Sequence, residues 1–181
     1  HFSSKEDAIL ALCIHSLKRE SALFARAAAF EGSTRERIIA MHVSFSVYAR
    51  MEPVLSTCPI MAKSPWVLEK ASPERVNELN KLEEQIIDEA DLLVTNAVQA
   101  GDLKFSPGIS SDAIVFANWS LAFGSNALAQ NASNSRCINR IHDPYSLLNN
   151  ANMLLDGLNW KPLSSEWDYR KTWRRVEQEL F

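Results

Sequence analysis

From Leu10 onward the apolar side chains fall on one stripe. Leu10, Cys13, Ile14, Leu17, Phe24 and Ala28 recur at about 3.6-residue spacing, which predicts a long amphipathic helix. Ser3 and Glu6 stand in the S-x-x-E spacing of a capping box and would start it. Its end is expected at Glu31-Gly32, where glycine can take a left-handed cap position. A second capping box, Ser33-Thr34-Arg35-Glu36, predicts a helix to about Glu52, stopped by Pro53. Ile38, Met41, Phe45, Tyr48 and Met51 share a face of that helix, with His42 beside them. Residues 53–64, with Pro53, Pro59 and little charge, read as a short broken helix. Ser64-Pro65-Trp66 opens a short helix to about Ala71, and Ser72-Pro73-Glu74 opens a long one to Ala100-Gly101. Each has proline at the first helical position.

The second half alternates helix and loop in the same way. After a loop with Pro107-Gly108, Ser110 or Ser111 caps a helix to about Asn131. It is apolar almost all round, with Ile114, Val115, Phe116, Trp119, Leu121, Phe123 and Leu128 interleaved with small residues. Such a helix must be covered on every side, so part of its surface calls for a partner. Residues 131–143 are polar and irregular. From Pro144 another helix presents a wide stripe of Leu147, Leu148, Ala151, Leu154, Leu155 and Leu158. Ser164 or Ser165 is expected to cap the last helix, on which Tyr169, Trp173, Val176 and Leu180 share a face. Its other side carries Arg170, Lys171, Arg174 and Arg175, read as an exposed cationic face and not as a nucleic-acid patch. The pattern predicts an all-α chain of about seven helices.

Composition narrows the class. The chain has 181 residues, enough to bury a sizeable core as one domain, and its 46% hydrophobic and 23% charged content is that of an ordered protein. Its net charge of −3 gives no global attraction for nucleic acid. Cys13, Cys58 and Cys137 are odd in number and far apart, which argues against a disulfide framework or zinc site and suits a reducing cytoplasm. No membrane span or signal peptide is expected. The acidic run Glu83, Glu84, Asp88, Glu89 and Asp91 reads as a solvated face and not as a metal site. No G-x-S-x-G, phosphate loop or H-E-x-x-H is present, and no catalytic residue, metal or cofactor is assigned.

Three stretches carry a family resemblance. His1-Phe2-Ser3-Ser4-Lys5-Glu6-Asp7 before an amphipathic helix resembles the junction between head and body in regulators of the tetracycline-repressor (TetR) family. Ala97-Val98-Gln99-Ala100-Gly101-Asp102-Leu103 before a capped apolar helix resembles their middle. Leu154-Leu155-Asp156-Gly157-Leu158 with Trp160, Pro162 and Leu163, followed by a helix containing Asp168, Tyr169, Thr172, Trp173, Arg174 and Arg175, resembles their end. The resemblance implies that residues 1–4 end a helix-turn-helix DNA-binding head, otherwise absent from this sequence. Residues 5–181 would then form a ligand-binding and dimerisation domain.

By that resemblance the chain is a bacterial, cytoplasmic, ligand-responsive transcriptional regulator, in most such cases a repressor. His1 and Lys5 would meet operator DNA, Lys5 through a phosphate. Leu121, Ser125, Leu128, Leu147, Leu148, Ala151, Leu154 and Leu155 would form the four-helix bundle of a homodimer. Met41, His42, Phe45, Tyr48, Trp66, Asn118, Trp119 and Phe123 would line the pocket, with His42, Tyr48 and Asn118 as its polar groups. No counter-charge is evident in those stretches, so the implied effector is small, neutral, and apolar or aromatic. Two other readings stay open: a helical enzyme acting on an apolar substrate, and a ligand-independent dimeric scaffold whose rings only fill a core.

Overall fold

The computed structural model describes residues 2–181; His1 and the DNA contact expected of it lie outside them. The described chain is all-helical. In order come α1 (Lys5–Ala28), α2 (Thr34–Met51), α3 (Cys58–Ala62), α4 (Pro65–Leu68), α5 (Pro73–Ala100), α6 (Ser111–Asn131), α7 (Ser146–Gly157) and α8 (Tyr169–Leu180). Short 3-10 turns at Leu55–Thr57 and Ile138–Arg140 complete them. The eight helices include the short one expected within residues 53–64, which carries Pro59 near its N-terminus.

The capping chemistry sets most of these boundaries. Ser33 and Glu36 form the expected reciprocal box at the start of α2. At α1 the cap is Ser4, one residue on from the expected Ser3, and the reciprocal bond goes to the residue before the cap. The Asp7 amide donates to Ser4 Oγ at 2.9 Å, and the Ser3 amide donates to Asp7 Oδ2 at 3.0 Å. Asp7 is preferred because it serves a second helix as well: the Ser72 amide donates to its Oδ1 at 2.9 Å, and Arg75 pairs with Oδ2. These donors hold its carboxyl well below the usual carboxylate range. The start of α1 is therefore tied to the start of α5. α1 ends at Ala28, before Gly32, whose φ is not left-handed. Gly32 is small for another reason, since a Cβ there would lie 2.8 Å from Glu36 Oε2. The left-handed glycine cap belongs to Gly101, which ends α5 with φ +79°. α8 begins later than expected, at Tyr169, because Asp168 accepts the Arg170 amide at 3.1 Å.

α2, not α6, is the surrounded helix. Fourteen of its eighteen residues are buried, and it packs on α1, α5, α6, α7 and α8. Two apolar clusters flank it. One joins α2 to the last turns of α5, the start of α6, and α7 and α8, around Ile39, Val43, Leu155 and Trp160. The other joins α1 to α3, α4 and the first half of α5, around Leu10, Cys13, Cys58 and Leu79. Leu148, Ala151 and Leu155 belong to the first cluster and are fully covered within the single chain. They are corrected from dimer contacts to core, because α7 turns its richest apolar stripe inward. No helix is long and apolar enough to cross a membrane among the described residues.

The Asp156-Gly-Leu-x-Trp160 stretch has a structural task. It receives Arg35, which is completely buried in the first turn of α2. The guanidinium donates to Asp156 Oδ1 and to the Trp160 carbonyl, both at 2.7 Å, and to Asn152 Oδ1 at 3.0 Å. It also sits 4.6 Å from the Tyr169 ring centroid. Trp160 Nε1 donates to Thr34, Thr34 to Asp102, and Thr172 to Glu36. The start of α2 is thus locked to the α5–α6 loop, the α7–α8 junction and α8.

Candidate functional site

The two apolar clusters do not close fully on each other. Between them lies a cavity of about 380 Å³, within the range of small-molecule sites. Leu17 and Ile86 reach it from the second cluster, Ile38, Met41 and Val94 from the first. The deep wall consists of covered side chains of α1 and α2. The opposite side includes exposed Lys63, Ile87, Asp112 and Phe116, so the cavity opens outward between α3, α5 and α6.

Of the residues expected to line a pocket, Met41, His42, Phe45, Asn118 and Trp119 do so. Three do not. Trp66, on the short α4, is 47% exposed and is not part of the lining. Tyr48 is buried about two turns beyond Met41, with its hydroxyl 2.8 Å from Ser16 Oγ. Phe123 instead lines a separate opening with Ile60, Trp119 and Ser120, its ring centroid 6.5 Å from Phe45 and 6.4 Å from Trp119.

His42 and Asn118 come together as a pair. Asn118 Nδ2 donates to the Ile114 carbonyl at 2.9 Å, which leaves Oδ1 facing His42 Nε2 at 2.9 Å. A carbonyl oxygen only accepts, so this geometry assigns the proton to Nε2 and leaves Nδ1 without one. Burial pushes the imidazole pKa down, with the Asn118 hydrogen bond opposing, and holds the ring neutral. The pair is a fixed polar point on an otherwise apolar wall.

The expectation of an uncharged lining is corrected. Glu20 of α1 lines the cavity and is only 4% exposed. Glu83, Asp91 and Asp112 line it as well, with Lys63. Lys63 pairs with Glu83, and Asp91 accepts the Ser111 hydroxyl at 2.8 Å. Glu20 lies on α1 and the other acids on α5 and the first turn of α6, outside the stretches of α2 and α6 searched for a counter-charge. One signal was available: Leu17, Glu20 and Phe24 are three and four apart, so the apolar stripe of α1 passes through an acid.

Ser16 Oγ lies 3.3 Å from Glu20 Oε1, 2.8 Å from the Tyr48 hydroxyl and 2.8 Å from the Leu55 carbonyl. One hydroxyl hydrogen cannot serve three acceptors. The set closes when Ser16 donates to Leu55 and accepts from Tyr48 and from a protonated Glu20. Desolvation is the largest influence on Glu20 and pushes its carboxyl up to about 8, in keeping with the protonated form that this arrangement requires.

No family model, curated protein or solved structure matches the chain. The reading of the cavity rests on its geometry and chemistry. Among the described residues no group of three or more His, Cys, Asp and Glu side chains is placed to hold a metal ion.

The expected dimer contacts divide into two sets. Leu148, Ala151 and Leu155 are core, and Ser125 accepts a hydrogen bond from Asn150 at 3.1 Å within the chain. Leu121, Leu147 and Leu154 are half-buried, and Leu128 is 55% exposed. Phe116, Trp119 and Met153, apolar and outward, add to this second set. Lys5 is exposed at the first turn of α1.

Proposed function

We propose that this chain is the ligand-binding and dimerising body of a transcriptional regulator of the tetracycline-repressor type. A small, mainly apolar effector in the cavity controls operator binding by a homodimer, usually as a repressor. The observation that carries the reading is the cavity itself, together with the helix that walls it. α1 contributes Leu17, Glu20 and Phe24 to the lining and runs back without a break to Lys5, the residue proposed to touch DNA phosphate. A displacement at the cavity is therefore carried along about 20 Å of one rigid rod to the head. Only differential binding can work the switch: the effector must fit one setting of α1 better than the other. The outward apolar side chains of α6 and α7 support the dimer, on which a two-fold operator depends.

The test uses a library of apolar and aromatic compounds, thermal denaturation, and a variant that fills the cavity. Ala122 lines it, so Ala122→Trp occupies the space an effector needs. A ligand at about a hundredfold excess over its Kd stabilises by about 2.7 kcal/mol, which raises Tm by about 5–10 °C in a domain of this size. Such compounds are expected to shift the wild type and not Ala122→Trp, and to release the head-bearing protein from its operator. A library without a single stabilising compound, or hits that leave operator binding unchanged, would defeat the reading. Turnover of a hit by the purified protein would favour an enzyme.

A further inference from the structure

The cavity wall contains a carboxyl group with no cation of its own. Glu20 is buried beside Ser16, and both its neighbour in sequence Arg19 and the one lysine of the lining are engaged elsewhere. Arg19 pairs with Glu52 at 2.8 Å, and Lys63 pairs with Glu83. The titratable lining as a whole is one-sided, since Glu20, Glu83, Asp91 and Asp112 face a single lysine. Around them stand four aromatic rings, Phe24, Phe45, Phe116 and Trp119, whose faces attract cations as well as apolar groups. An acid buried without a partner is costly, and a purely apolar ligand would gain nothing from it.

We infer that the cavity takes an amphiphilic monocation, an apolar or aromatic body bearing one ammonium or amidinium group, with the charged nitrogen placed at Glu20. This rests on the cavity being an effector site as proposed above, and it replaces the neutral effector with a cationic one. In the unliganded site Glu20 carries a proton, which satisfies Ser16. When a cation binds, the carboxyl loses its proton to solvent and the carboxylate pairs with the charged group of the ligand, while Ser16 keeps its hydrogen bonds to Tyr48 and the Leu55 carbonyl. The titratable groups around Glu20 and elsewhere on the lining do not compete for the charge. From α2, Tyr48 is pushed up by burial and remains a phenol, and His42 is pushed down and remains neutral. From α3, Cys58 shares a thiol contact with Cys13, and Lys63 and Glu83 are tied to each other across α3 and α5.

Calorimetry on the full chain tests this with two probes of one shape, phenylhexyltrimethylammonium and its neutral tert-butyl isostere. The cation is expected to bind at least about tenfold more tightly at pH 8.5. Because its charge is permanent, its affinity should rise roughly tenfold per pH unit between pH 6 and 8 and then level off, while the isostere stays flat. Titration at pH 7 in two buffers of different ionisation enthalpy should show release of nearly one proton per cation bound, a readout that needs no variant. Glu20→Gln should bring the two probes level. Equal affinities in the wild type overturn the inference and leave the effector site standing, because the isostere still binds. A cation preference that survives Glu20→Gln, or binding without proton release, overturns it too. If neither probe binds at any pH the inference falls, and the compound library separately decides whether the cavity is an effector site.

Discussion

Glu20 is neutral in the folded protein and ionised in the unfolded chain over the pH range in between. Its folded pKa is about 8 against an ordinary value of 4.5, so between those limits the native state binds the extra proton. Stability contributed by this group is fully present below pH 4.5 and is lost as pH rises toward 8. Glutamine keeps the neutral shape and cannot ionise when unfolded. Glu20→Gln should therefore match the wild type near pH 4.5 and exceed it at pH 8, with a Tm gap that widens steadily between. Circular dichroism melts at three pH values measure this; a constant gap would mean that the carboxyl does not titrate as described. His42 acts in the opposite direction, its depressed pKa removing stability as pH falls below 6.5. His42 and Asn118 were legible in the sequence as polar residues on apolar helix faces. Their pairing was not, because 76 residues separate them and only the crossing of α2 and α6 brings them together.

At the scale of elements, periodicity and caps located nearly every helix, and errors arose where a distant partner chose between local options. Ser3 with Glu6 and Ser4 with Asp7 are equally good boxes in isolation. The Ser72 amide and Arg75 select Asp7, and neither is visible from the first seven residues. Arg35 shows the same limit more sharply. In sequence it is an ordinary second residue of a capped helix, but it is completely buried and held by Asp156, Asn152 and the Trp160 carbonyl, all more than a hundred residues away. The Asp156-to-Leu163 motif that carried the family resemblance is on this account a docking site for α2. Arg35→Ala should cost about 3–5 kcal/mol, since it empties a fully buried site and strands the buried Trp160 carbonyl, while the half-exposed Asp156 and Asn152 can turn to water. Arg35→Lys should recover only part of it, because one ammonium cannot reach three acceptors arranged for a fork. Urea denaturation measures both; a loss below about 1 kcal/mol for alanine would show that the cluster relaxes freely.

At the scale of the molecule the question is which apolar surface is spare. Sequence reasoning assigned both α6 and α7 to a partner, since hydrophobic content alone does not tell inward from outward faces. Within one chain α2 is enclosed although its composition is mixed, and α7 spends Leu148, Ala151 and Leu155 on the core. What remains uncovered is Leu128 and Phe116 on α6 and Met153 on α7, at 55%, 64% and 68% exposure. This difference separates a dimer contact from a fold contact. In the proposed homodimer Leu128 and Met153 are buried only on association, in an interface of roughly 2,000 Å² or more if it is obligate. A carboxylate at either position would have to be desolvated in the dimer and would stay in water in the monomer. Leu128→Glu and Met153→Glu are therefore expected to yield folded monomers with wild-type helical content. Leu148→Glu, placing the same charge in the protomer's own core, should lose the fold and not merely the partner. Sedimentation at micromolar concentration together with circular dichroism separates the two outcomes. A wild type that sediments as a monomer would remove the dimer. Leu128→Glu and Met153→Glu remaining dimeric would move the interface to another face, such as that of the exposed Leu92 on α5.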